Sequence, residues 1–176
     1  MEHPFRGYTL RRARSGELPA LPDIEHLAAQ QFLHSPYPYV AGMPAQSLEQ
    51  LHEYQRSGGV WVAVAREGTV AAFVVCKEVD SALYIAEAGV HPAHARQGLG
   101  SALLKLVGQW AREQGYPALL LTTFRDVPWN APYYQRLGFH ILRDEEVKPG
   151  LRAIRAQETA HGHPPESRVC MRLALE

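Results

Sequence analysis

Cysteine is scarce in this chain: Cys76 and Cys170 are the only two. Each sits in a β-like apolar run, so both read as small core residues rather than as a disulfide framework. No apolar run approaches the ~20 residues needed to span a bilayer. Met1 to Tyr8 holds no apolar segment of the kind a signal peptide requires. The sequence therefore points to a cytoplasmic protein without a membrane partner. A dominant charge is missing too, because 18 Lys and Arg balance 18 Asp and Glu. No global field then favours nucleic acid or an anionic surface. There is no internal repeat, low-complexity stretch or long linker, and 176 residues suit one domain with a real core, residues 1–176.

What is present reads as alternating elements. Tyr8 to Ala13 predicts a first strand, followed by a turn at Ser15-Gly16. Asp23 is placed to cap a helix to about Leu33, with Ile24, Leu27 and Ala28 on its inner stripe. Ser47 starts a second helix that ends at Gly58-Gly59. From Val60 the period changes to two, with a tight turn at Glu67-Gly68 into Thr69 to Val75. Ala82 to Val90 reads as another strand. Gly98 to Gln114 carries Leu99, Leu103, Leu106, Val107 and Trp110 on one helical face. Ala118 to Thr123 predicts a buried strand, Asn130 to Leu137 a short helix and Phe139 to Leu142 a strand. Leu151 to Ala160 predicts a helix and Arg168 to Leu175 a final strand. Early helices, a central antiparallel meander and a βαβ unit imply an α/β or α+β domain built on a single mixed sheet.

The most informative stretch runs from Val90 to Leu104. Pro92 stops the preceding strand, and Gly98 and Gly100 open the long helix, where backbone N–H groups can approach a ligand without Cβ obstruction. A helix start offers unpaired donors and the positive end of the macrodipole. First turns usually attract Asp or Glu, yet Val90 to Gln109 contains no acidic residue, while Arg96 stands beside the turn. This pattern suits an incoming anion. A dinucleotide fingerprint is disfavoured, because its third small residue falls on Leu103. A P-loop is excluded by the lack of any Gly-Lys-Ser/Thr triplet.

At these residues the chain resembles the GNAT family of N-acetyltransferases. The family signature is Gln or Arg, two residues, Gly, one residue, then Gly or Ala. It stands here as Ala95-Arg96-Gln97-Gly98-Leu99-Gly100, with Ala95 in place of the usual first residue. The preceding strand ends in Val-His-Pro, and the later run ALLLTTF leads to NAPYYQRLGF, which looks like the family's C-terminal coenzyme-side helix. The resemblance implies a mostly antiparallel twisted sheet flanked by helices and an acetyl-CoA cosubstrate without a metal. Val90, Arg96, Gln97, Gly98, Leu99, Gly100 and Ser101 are then implied to hold the coenzyme, with Asn130 and Tyr133 as further contacts. The acceptor is a small-molecule or peptide amine, and homodimers are common among such proteins.

Amine acetylation needs a base for the amine and an acid for the leaving thiolate. Glu87, in an apolar strand, is the base candidate, since partial burial raises a carboxyl pKa. Tyr134, four residues before Gly138, matches the family's Tyr–three residues–Gly–Phe pattern and is the acid candidate. Tyr133, its neighbour, is expected to point elsewhere. Tyr37, Tyr39 and Trp129 lie in loops and are candidate acceptor contacts. His91 and His94 straddle Pro92 without a further ligand at metal spacing, so they read, like His161 and His163, as surface loop histidines. The rival reading is a non-catalytic acyl-CoA-binding sensor module that kept the loop.

Overall fold

A computed structural model describes every residue, Met1–Glu176. Its strands are β1 His3–Phe5, β2 Tyr8–Arg12, β3 Val60–Val64, β4 Val70–Val79, β5 Ala82–Val90, β6 Ala118–Phe124, β7 His140–Ile141 and β8 Arg168–Ala174. Its α-helices are α1 Leu21–Ala29, α2 Leu48–Arg56, α3 Leu99–Glu113, α4 Ala131–Arg136 and α5 Pro149–Ala160. The strands form one sheet in the order β1-β2-β3-β4-β5-β6-β8-β7. β1–β2, β2–β3, β3–β4, β6–β8 and β7–β8 pair antiparallel. β5 and β6 run parallel, with Leu83 opposite Leu119. A parallel pair needs a crossover, and α3 supplies it. The mostly antiparallel mixed sheet flanked by helices is the fold expected from the sequence. No helix is long and apolar enough to cross a membrane.

The chain divides into two compact units. In the first, Met1–Lys77 with Ala86–Val107, the core joins Leu18, Leu21, Ile24 and Leu51 to Val60, Val62, Val64, Phe73 and Val75. The period-two run of β3 thus turns its even-numbered valines toward α1 and α2. Ser47 caps α2 reciprocally with Gln50: its hydroxyl accepts the Gln50 N–H at 3.2 Å, and Gln50 Oε1 accepts the Ser47 N–H at 2.9 Å.

Three local expectations differ here. Asp23 is not the cap of α1, which starts at Leu21 with Pro22 in its first turn, where a missing N–H costs nothing. That start sets the inner stripe as Leu21, Ile24 and Ala28, at i, i+3 and i+7, and leaves Leu27 40% exposed. The Ser15-Gly16 turn is the start of a 3-10 helix, Ser15–Ala20. Glu17 fixes it by accepting the Arg14 N–H at 2.8 Å and the Arg11 guanidinium at 2.9 and 2.7 Å. A first strand, β1, precedes the expected one. Pro4 is tolerated on this edge strand, and Arg6-Gly7, with φ of 48° and 87°, makes the tight hairpin turn into β2.

The second unit, Glu78–Ile85 with Gly108–Glu176, is organised by β6, whose residues from Ala118 to Phe124 all pair with β8. Asp80, at φ 53° in the turn between β4 and β5, aims its carboxylate at the start of α5. Its two oxygens accept the N–H groups of Gly150 and Leu151, each at 2.8 Å. A negative charge at this helix end also suits the macrodipole. Both cysteines are buried and free, and burial pushes the Cys76 thiol up to about 12.

Candidate functional site

The loop between β5 and α3 is held in a specific shape by its own backbone. His91 N–H donates to the Ala71 carbonyl at 2.8 Å, and His94 N–H to the His91 carbonyl at 2.8 Å. Arg96 then adopts φ 62° and Gly98 φ 77°. Closely spaced left-handed residues belong to the backbone shapes that build concave N–H arrays for anions. The Gly98 carbonyl accepts the Ala102 N–H at 3.1 Å and the Ser101 hydroxyl at 3.0 Å. Gly98 is therefore the N-cap, and the N–H groups of Gly98, Leu99, Gly100 and Ser101 have no acceptor within α3. Leu99 buries its side chain, which anchors the first turn while the backbone stays at the surface. Arg96, Gln97 and Gly98 are exposed, and the first turn of α3 carries no acidic residue.

The histidines of this loop act as ties. His91 Nδ1 accepts the Ala93 N–H at 3.0 Å, and His94 Nδ1 lies 2.8 Å from the Tyr8 hydroxyl. Both are half-buried, which departs from the expectation of plain surface residues. The β1–β2 hairpin also reaches the loop, where Arg6 donates to the Gln97 carbonyl at 3.4 Å.

Glu87 is half-buried on β5, one residue beyond Ala86, which packs against the core. Glu87 influences the carboxyl group of Glu25 on α1. Glu25 Oε2 also accepts the Gln46 N–H at 3.0 Å. Burial raises the Glu25 pKa from its ordinary value, against the opposing influence of the Gln46 N–H and of Glu87. Tyr54 on α2 stands near the pair, and its phenol is pushed up by burial and then by the charge of Glu87. Sequence reasoning missed Glu25 and Tyr54. The signal for Glu25 was its place at i+4 from Leu21, on the margin of the inner stripe. Tyr37 and Tyr39 form their own edge-to-face pair with centroids 6.4 Å apart, Tyr39 remaining 39% exposed.

In the second unit, Trp129 and Asn130 lead into α4 and are half-buried. Asn130 is the N-cap residue, but its side-chain amide donates to the Trp129 carbonyl at 3.0 Å rather than capping the helix. Tyr134 packs edge-on against Phe139 at 5.7 Å and against Tyr133 at 5.3 Å. The adjacent Tyr133 and Tyr134 rings thus meet edge to face on this short helix. Arg136 lies over the Tyr133 ring at 5.9 Å.

A polar network in the same unit had no counterpart in the sequence reading. The Thr122 hydroxyl donates to Glu158 at 3.1 Å, Arg168 meets Glu158 at 2.9 Å, and the Tyr84 and Thr122 hydroxyls lie 3.3 Å apart. His163 is not a plain surface turn residue. It packs edge-on against Phe124 at 5.4 Å, and burial, with Arg168, His161 and Arg155 nearby, lowers its pKa to about 4.

With this geometry in hand, residues 22–139 match the acetyltransferase (GNAT) family. The ribosomal-protein-S18-alanine N-acetyltransferase of Escherichia coli superimposes with a TM-score of 0.66 at 23% identity, covering 96% of this chain and 94% of its own. The PaiA N-acetyltransferase of Thermoplasma acidophilum, solved with coenzyme A, gives 0.68 at 14% identity over 95% and 98%. The N-acetylglutamate synthase of Neisseria gonorrhoeae, solved with coenzyme A and N-acetyl-glutamate, gives 0.69 at 18% identity over 99% of this chain and 36% of its own. At such identities the likeness is one of fold.

Proposed function

The chain belongs to the acetyltransferase (GNAT) family, and from that premise we propose that it transfers the acetyl group of acetyl-CoA to a primary amine by direct attack. The observation that carries this reading is the loop ahead of α3. Its left-handed Arg96 and Gly98 and its acid-free first turn suit an anionic group such as a diphosphate. The N–H groups of Gly98, Leu99, Gly100 and Ser101 hold that diphosphate, with Val90, Arg96 and Gln97 flanking it. Asn130 and Tyr133 are further coenzyme contacts in this reading.

Acetyl-CoA supplies an activated thioester. Glu87 accepts the proton that the amine nitrogen loses as it bonds to the acetyl carbon. Tyr134 donates its phenolic proton to the sulfur as the carbon–sulfur bond breaks. Tyr37, Tyr39 and Trp129 contact the acceptor. The two structural relatives named for an alanine of a ribosomal protein and for N-acetylglutamate support an amine as the acceptor class. A cytoplasmic homodimer belongs to the same proposal, and light scattering on the purified chain checks its mass.

The test is thiol release from acetyl-CoA over a panel of small-molecule and peptide amines. Release with at least one amine, lowered about a hundredfold or more in Glu87→Gln, is the expected result. Coenzyme binding without release across the panel would favour the non-catalytic sensor.

A further inference from the structure

The β1–β2 hairpin lies against the loop ahead of α3. Phe5 approaches Gly98, where an added Cβ would lie 3.6 Å from the phenyl ring. Arg6 donates through Nη1 to the Gln97 carbonyl at 3.4 Å. The Tyr8 hydroxyl stands 2.8 Å from His94 Nδ1. Both arms of the hairpin and its turn therefore touch the loop. The turn between β3 and β4 reaches the same hairpin tip: the Arg66 guanidinium packs on Gly7, with Nε 3.4 Å from where a Cβ would be.

This packing gathers Arg6, Arg66 and Arg96 around the loop, all of them exposed. None joins an ion pair; the pairs of the chain draw on Arg11, Arg14, Arg143, Arg152, Arg155 and Arg168. Glu67, next to Arg66, turns into its own bend, where its carboxylate accepts the Thr69 hydroxyl at 3.0 Å. Val90 to Gln109 holds no acidic residue. Neighbouring cations without counter-charges repel, and an anion placed among them removes that repulsion. Arg6 also occupies a hairpin turn position at φ 48°, where Asn, Asp and Gly are the usual residues. A cation stands there instead of a small polar group.

Coenzyme A presents two separate anions, a diphosphate and a monoester phosphate on the ribose 3′ oxygen. The N–H groups of Gly98, Leu99, Gly100 and Ser101 account for the first in the reading above. The second carries a charge of about −1.5 to −2 near pH 7. We propose that Arg6 and Arg66 bind the 3′-phosphate of the coenzyme, so that the β1–β2 hairpin and the β3–β4 turn form a second phosphate subsite beside the diphosphate loop. This rests on the coenzyme lying at the head of α3. A guanidinium matches a phosphate with paired N–H donors. The Gln97 carbonyl occupies only Nη1 of Arg6, which leaves Nε and Nη2 for the anion.

The experiment is calorimetry on the full chain with coenzyme A and with 3′-dephospho-coenzyme A. Wild type is expected to prefer coenzyme A by about tenfold. Arg6→Gln and Arg66→Gln each reduce that preference to about threefold, and the double variant abolishes it. Affinity for the dephospho form stays within about twofold of wild type in all of them, which also shows that they fold. Arg56→Gln removes an equal charge beyond the opposite end of β3 and keeps the full preference, so a local contact is separated from net charge. Equal wild-type affinity for the two ligands would overturn the subsite and leave the diphosphate reading standing. Equal weakening of both ligands in Arg6→Gln and Arg66→Gln, or a loss of preference in Arg56→Gln as large as theirs, would overturn it too. Wild type that binds neither ligand contradicts the coenzyme reading itself, and the subsite with it.

Discussion

The Tyr8 hydroxyl lies 2.8 Å from Nδ1 of His94, tying β2 to the loop that precedes α3. The two rings also meet edge to face at 5.5 Å. Neither residue belongs to the glycine signature, yet together they brace its entrance. Tyr8→Phe keeps the ring contact and deletes the hydrogen bond, a loss of about 1 kcal/mol. Part of that appears as weaker coenzyme A binding, about threefold by calorimetry, with kcat at saturating substrate unchanged. A lowered kcat would mean that His94 takes part in the chemistry.

Tyr134 is held by Tyr133 on one side and Phe139 on the other. Tyr134→Phe retains both edge contacts and removes only the hydroxyl. Turnover is expected to fall by about a hundredfold while coenzyme A affinity stays within about twofold, as for loss of a general acid. Because the Tyr133 ring touches Tyr134, Tyr133→Leu disturbs its packing and is not a neutral control. Unchanged turnover in Tyr134→Phe removes the phenol from the mechanism.

His163 gives the fold a pH dependence of definite sign. Its folded-state pKa is lowered to about 4, mainly by burial, while the unfolded chain keeps the ordinary value near 6.5. Between these values the unfolded state binds more protons, so stability falls as pH drops from about 6.5 to about 4. His163→Phe preserves an aromatic ring against Phe124 and removes the titration. Melting temperature measured across that window should fall less steeply in the variant than in the wild type. Parallel curves would show that another group dominates.

Much of this architecture is written locally. The strand Ala82–Val90 has the bounds its alternation predicts, Ser47 caps α2 with the Gln50 three residues on, and the spacing of Leu99, Leu103, Leu106 and Val107 fixes α3. The glycine loop was readable because Gly98 and Gly100 stand close together at the helix start, although the left-handed Arg96 carries no signal in its residue type. What was not legible is non-local. The influence of Glu87 on Glu25 joins distant parts of the sequence, and the seating of Glu25 depends on where α1 begins, which Pro22 decides and Asp23 obscured. Thr122, Glu158 and Arg168 converge only after β6, β8 and α5 have packed. β1 was hidden because a three-residue strand containing Pro4 has almost no period to read.

The central claim is that main-chain donors at the head of α3 hold a diphosphate, and isothermal calorimetry with coenzyme A tests it most directly. Gly98 sits at φ 77° with room for a Cβ, its nearest neighbour being Phe5 at 3.6 Å. Gly98→Ala therefore isolates backbone strain of about 1 kcal/mol, while Gly98→Asp adds a negative charge where the anion binds. Wild type should bind, the alanine variant should bind more weakly, and the folded aspartate variant should show no heat of association. Wild type that takes up no coenzyme A, or an aspartate variant that binds as well as wild type, contradicts the account.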